Sequence, residues 1–231
     1  GGMTGALAFP VDSIQVEVDN LFRAQGADPA SVRARRPALI SLAEQAITTG
    51  MGLIKPRTWL TVLPVEAVRH NHLRLAGGFT LRGDLVLQEL SSAEQVAVGL
   101  VTVGPELDNY IQEYIHQEAP LAYLVDAFGS AAVDQVQCCL QDQVVQQACD
   151  QGLSTTTPLS PGLIGWPVDT GQEDIFRILS PDPTVIRLTE SYQMVPRKSA
   201  SFVMGIGRDL KSDVPCDYCS ARERCPHRKQ K

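Results

Sequence analysis

Three cysteines fall within ten residues near the end of the chain, in the stretch "PCDYCSARERCPHRKQK" from Pro215 to Lys231. Cys216-x2-Cys219 lets a tight loop place two sulfurs on one ion, Cys225 adds a third thiolate, and His227 follows two residues later. In a reducing compartment such spacing points to metal binding rather than to disulfides. Two chemistries fit. Three thiolates and His227 can hold zinc tetrahedrally, which would order the tail without redox activity. Alternatively, the three thiolates hold an iron–sulfur cluster able to carry an electron, the remaining position going to His227, a more distant residue or an exogenous ligand. Arg222, Arg224 and Arg228 lie where their charge offsets that of the thiolates.

The other reactive side chains carry weaker signals. Cys138, Cys139 and Cys149 sit in a helical pattern, where free cysteine serves as a small packing residue, and Cys138 and Cys139 point about 100° apart on a helix. His70 and His72 have strand spacing but are flanked by Arg69 and Arg74, as on an exposed polar strand. The chain has no HExxH, P-loop, GxSxG or GxGxxG signature.

Positioning these groups requires a body, and 231 residues that are 44% apolar can bury one. No apolar run reaches the ~18 residues of a membrane span, and the N-terminus shows no basic region followed by an apolar block. A cytoplasmic protein with reduced thiols and no membrane association is expected. The net charge of -6 is uneven: from Arg197 onward nine Lys and Arg face four Asp and Glu, leaving eleven against twenty-two in the rest. A basic tail on an acidic body can touch nucleic acid, an acidic partner or the protein's own acidic face; docking on a protein partner by complementary patches is expected, and nucleic acid is not.

Periodicity divides the chain. Residues 1–90 read as N-terminal helices and short strands of the same domain, 91–210 as its core, and 211–231 as the basic, cysteine-rich tail. Asp12 or Ser13 is expected to cap a helix carrying Val16, Val18, Leu21 and Phe22 and ending at Gly26. A second helix is expected from Pro29 to Gly50. Alternation between Arg57 and Leu90 predicts short antiparallel strands, with turns at Gly77-Gly78 and Gly83-Asp84. Ser91 to Gln95 has the form of a helix start, and "VAVGLVTVG" that of a buried strand. Helices follow over Pro105–Gln117 and Pro120–Asp150, the second with small residues Gly129-Ser130-Ala131-Ala132 at its centre, suited to close packing. Beyond Ser154, "DTGQEDIFRILS" predicts a short helix, and "TVIRLTES" and "SASFVMGIG" predict strands.

Several ordered segments resemble the activation domain of cobalamin-dependent methionine synthase. They are Ser160-Pro161-Gly162, Leu188-Thr189-Glu190-Ser191, Met194-Val195-Pro196 and Ser199-Ala200-Ser201, preceded by "VTVG" at Val101 and "LVDAFGSAAVDQ" at Leu124. The likeness runs from Val101 to Gly207 and is loose before Leu90. It implies an α+β fold with a twisted antiparallel sheet and flanking helices. It also implies a shallow groove for S-adenosylmethionine, to which Ser160, Pro161, Gly162 and Glu190 would contribute, beside a docked cobalamin protein. The family's Arg and Tyr in that groove fall on Pro158 and Leu163, so S-adenosylmethionine is expected to bind weakly or not at all. No corrinoid-binding Asp-x-His-x-x-Gly motif is present, so the resemblance implies action in trans on a corrinoid-binding protein or a methionine synthase core, to reduce or remethylate its cobalamin. A zinc-stabilised interaction adaptor and a small-molecule methyltransferase are the alternatives. No catalytic residue is singled out.

Overall fold

In a computed structural model, residues 6–210 are described, and Cys216, Cys219, Cys225 and His227 lie outside them. The fold is α+β. In chain order its elements are β1 (Leu7–Ala8), α1 (Val18–Ala24), α2 (Pro29–Arg35), α3 (Ala38–Leu53), β2 (Arg57–Val68), β3 (His72–Leu75), β4 (Phe79–Arg82) and α4 (Asp84–Leu90). They continue as β5 (Gln95–Thr102), α5 (Glu106–Tyr114), α6 (Ala119–Asp150), β6 (Ser154–Thr155), α7 (Val168–Leu179), β7 (Arg187–Leu188), β8 (Met194–Val195) and β9 (Ser199–Gly207).

The sheet follows from β5, an almost continuous apolar run because both its faces are covered. Its neighbours are β2 and β9, both antiparallel, in the order β4-β3-β2-β5-β9-β6 with β1 beside β2. Side chains of β5 alternate between two cores. Ala97 and Val101 face the helices α1, α3 and α6, together with Phe202 and Met204 of β9; Val96, Val98 and Leu100 face the opposite layer with Trp166 and Ile175. Gly99 lies opposite Phe202 in register, and the Phe202 ring occupies the space a Gly99 side chain would need. β2 serves two partners: Arg57 to Pro64 pair with β5, and Val65 to Val68 pair with β3 across a register shift between Val65 and Ala67.

Several local expectations need correction. Glu17, not Asp12 or Ser13, caps α1: its backbone N–H donates to Asn20 Oδ1 at 2.7 Å, half of a reciprocal capping box. The expected helix from Pro29 to Gly50 is two helices, because Pro37 lacks an N–H and pushes Arg36 out of the helical region (φ -141°, ψ 58°). Asp84–Leu90 is helical rather than the end of a strand ladder; Leu85, Val86 and Leu90 are buried, as i, i+1 and i+5 positions on one helix face allow. Ser91 to Gln95 therefore ends a helix instead of starting one, and Gln95 opens β5. "TVIRLTES" supplies only the two-residue β7, which pairs with β8 in a separate ribbon. The helices α5, α6 and α7 and the strand β9 stand where the periodicity puts them, and Gly152 (φ 68°) closes α6. No helix among the described residues is long and apolar enough to cross a membrane.

Candidate functional site

One end of the sheet gathers three of the segments that carry the family resemblance, those at Val101, Met194 and Ser199. Register sets Arg57 of β2 opposite Thr102 of β5, and Thr102 opposite Ser199 of β9. The β7–β8 ribbon adjoins this end, with Arg187 opposite Val195. Between them lies a cleft of about 300 Å³. Arg57, Thr102, Gly104, Thr184, Arg187 and Pro196 are among its lining residues. Thr102 is fully buried, and its Oγ1 accepts from the Gly104 N–H at 3.2 Å and from Ser199 Oγ at 2.8 Å. Gly104 turns the chain with φ +91°, and a side chain there would be strained and in contact with Lys55. Lys55 is tied down at both ends, its N–H donating to Val103 O at 2.8 Å and its Nζ to Glu106 Oε1 at 3.1 Å.

The chain just after β8 is anchored to the helical layer. Arg197 N–H donates to Asp108 Oδ2 at 2.7 Å, fastening it to α5. Lys198, only 14% exposed, pairs with Asp126 at 2.9 Å and donates to Ser130 Oγ at 2.9 Å, both on α6. Its aliphatic stem crosses α6 at Gly129, where an added Cβ would stand 2.9 Å from Lys198 Cγ and 3.0 Å from Leu107 Cδ1. The small residues at the centre of α6 thus admit a lysine stem and a leucine.

The Ser160-Pro161-Gly162 segment is a closed turn. Gly162 has φ +100° and donates its N–H to Trp166 O at 2.8 Å, while Trp166 donates back to Leu163 O at 2.9 Å. Pro161 lies against Gly171 of α7. Leu163 packs partly buried on the Trp166 core, which explains an apolar residue there. Gly162 itself is exposed. Glu190 is exposed in the connection between β7 and β8, shaped by Thr189, whose N–H donates to Gln193 O at 2.8 Å. Neither Glu190 nor the Ser160–Gly162 turn lines the 300 Å³ cleft.

Beside this turn lies an ion-pair network that sequence reasoning missed. Asp174 of α7 is 0% exposed and accepts from the Arg82 backbone N–H at 2.8 Å and from its guanidinium at 2.7 and 3.0 Å. Arg82 also donates to Glu173 Oε2 at 2.6 Å. The hydrogen bond from Arg82 holds the Glu173 carboxyl below its usual range, and the two carboxylates raise the Arg82 pKa. The network fastens α7 to β4. Its partners are 92 residues apart, so no local pattern announces it.

Among the described residues, no group of three or more His, Cys, Asp or Glu is placed to hold a metal. Cys138 and Cys149 are exposed and Cys139 is intermediate. His72 begins β3 while His70 lies in the preceding turn, so the two form no strand-face pair.

An antiparallel sheet covered by helices on both faces, with a β ribbon at one sheet end, defines the class, and the solved structures contain a match to it. The reactivation domain of MetH, solved bound to AdoHcy, superposes with a TM-score of 0.67 over 89% of this chain and 79% of that one, at 14% sequence identity. The likeness at that identity is one of fold. No protein-family model matches the sequence, and no curated protein does.

Proposed function

We propose that this chain acts in trans on a corrinoid protein, docking beside its cobalamin and helping to reduce or remethylate it. The observation that carries the proposal is the fold shared with the MetH reactivation domain over most of both chains, together with the ordered Ser160–Gly162, Leu188–Ser191 and Met194–Pro196 segments. Gly162 and Glu190 lie on exposed turns, as residues meeting a ligand between two docked proteins would. S-adenosylmethionine binds this chain weakly, because Pro158 cannot offer the forked guanidinium that grips a carboxylate and Leu163 is engaged in the core. The tail residues Cys216, Cys219, Cys225 and His227 hold zinc or an iron–sulfur cluster, and a cluster would supply an electron to a docked corrinoid.

The test is gel filtration of the anaerobically purified chain with a cob(II)alamin-loaded corrinoid protein, followed at the corrinoid's visible absorbance. Co-elution supports docking. Separate elution at every salt concentration, with stoichiometric zinc in the tail, leaves an adaptor for some other protein. Methylation of a small molecule without any corrinoid protein present leaves a free-standing methyltransferase.

A further inference from the structure

We infer that the cleft at the sheet end is an anion site, in which Arg57 and Arg187 clamp a carboxylate or phosphate group. This goes beyond the docking role proposed above and does not depend on it. Two arginines from different sheets line one cleft, and among the described residues neither has a carboxylate oxygen within 4.0 Å, the Arg57 guanidinium donating only to Pro56 O at 3.4 Å. The nearby Glu106 carboxylate does not compensate them, since Lys55 Nζ already holds it at 3.1 Å. Asp108, the other acid of the first turn of α5, is taken by the Arg197 N–H. Neither arginine therefore has an ion-pair partner among the described residues, and an anion in the cleft would give them charge-assisted, forked hydrogen bonds.

The surroundings strengthen that attraction. Pro105, Pro183, Val185, Val195 and Pro196 provide apolar walls, which lower the local dielectric and give room for the apolar body of a small ligand. The nine-residue helix α5 starts at the edge of the cleft, adding the positive end of its dipole. Arg57 is set by the β2–β5 register and Arg187 by the β7–β8 ribbon, so the clamp joins the main sheet to the ribbon. None of these residues belongs to the Ser160–Gly162 turn or is Glu190, although Thr102, Gly104, Val195 and Pro196 lie in segments that carry the family resemblance.

The experiment titrates inorganic phosphate and malonate into the full-length chain, monitored by backbone amide shifts and calorimetry at low salt. Wild-type protein is expected to saturate with at least one of the two, with shifts centred on Thr102, Gly104 and Glu106. Arg57→Gln and Arg187→Gln are each expected to weaken binding on the order of tenfold, with unchanged melting temperature because both side chains are exposed. Preference for phosphate or for malonate identifies the ligand's anionic group. Failure of both anions to saturate overturns the inference. So does binding equal in wild type and both variants, which would assign the anion to the basic tail common to all three. Docking to a corrinoid protein has no bearing on these outcomes.

Discussion

At the residue scale, the strongest electrostatic device is the clamp of Arg82 on Asp174 and Glu173. Asp174→Ala would strip the buried acceptor from the Arg82 backbone N–H and leave its guanidinium only Glu173 and partial contact with solvent. We expect a loss of about 2–3 kcal/mol, less than for a fully buried pair because Arg82 is 40% exposed. Urea unfolding checks it, and a loss under about 0.5 kcal/mol would mean that α7 is held by apolar packing alone. Glu173 gives a pH signature. Its folded-state pKa lies below its usual 4.5, so its contribution is present above that pH and fades as pH falls through the folded value. The melting-temperature difference between wild type and Glu173→Gln should therefore be largest near neutral pH and shrink in acid. A difference that grew in acid would reverse the sign of the interaction. None of this was legible in the sequence, because Arg82 and Asp174 lie 92 residues apart.

At the scale of elements, patterns spanning long segments were readable and breaks within them were not. The helices α5, α6 and α7 and the strands β5 and β9 follow directly from periodicity and composition, because each has enough residues for its pattern to be unambiguous. The break at Pro37, the capping role of Glu17 and the helix Asp84–Leu90 were missed. Seven residues of the form "DLVLQEL" are too few for a period to separate helix from strand, and packing against the second core decides between them. Close element contacts were foreseeable only as small residues. Gly129 was noticed; Gly50 was not, though it makes the tighter contact, with the Phe128 ring of α6 lying where its Cβ would be. Gly50→Ala should cost about 1–3 kcal/mol by forcing α3 and α6 apart, despite the better helix propensity of Ala. Thermal unfolding reads this directly, and a stabilised Gly50→Ala protein would show that the ring can rotate away at no cost.

At the scale of the whole molecule, the chain has an acidic body and a basic terminal segment, and a reactivation-domain fold whose MetH counterpart was solved with AdoHcy. The family resemblance was readable from short ordered motifs, yet those motifs do not locate the arginine-lined cleft. Arg57 precedes the matched segments and lines the cleft with Arg187 although the two belong to different sheets. Docking through complementary charge should be fast at low salt and slow by a few hundred millimolar, as screening shortens to a few ångströms. Stopped-flow association rates that ignore salt would place the partner on an apolar surface instead. Metal analysis of anaerobic protein, with Cys219→Ser as control, distinguishes iron with sulfide from zinc in the tail. The central claim, action in trans on a corrinoid, is tested most directly by visible spectroscopy of a corrinoid protein held as cob(II)alamin. This chain, S-adenosylmethionine and a low-potential reductant are added, each omitted in turn. Cob(II)alamin gains one electron, and the resulting cob(I)alamin either persists or takes the methyl group to give methylcobalamin and S-adenosylhomocysteine. The predicted result is loss of the cob(II)alamin spectrum at a rate that rises with the concentration of this chain. A rate identical with and without the chain would contradict the proposed function.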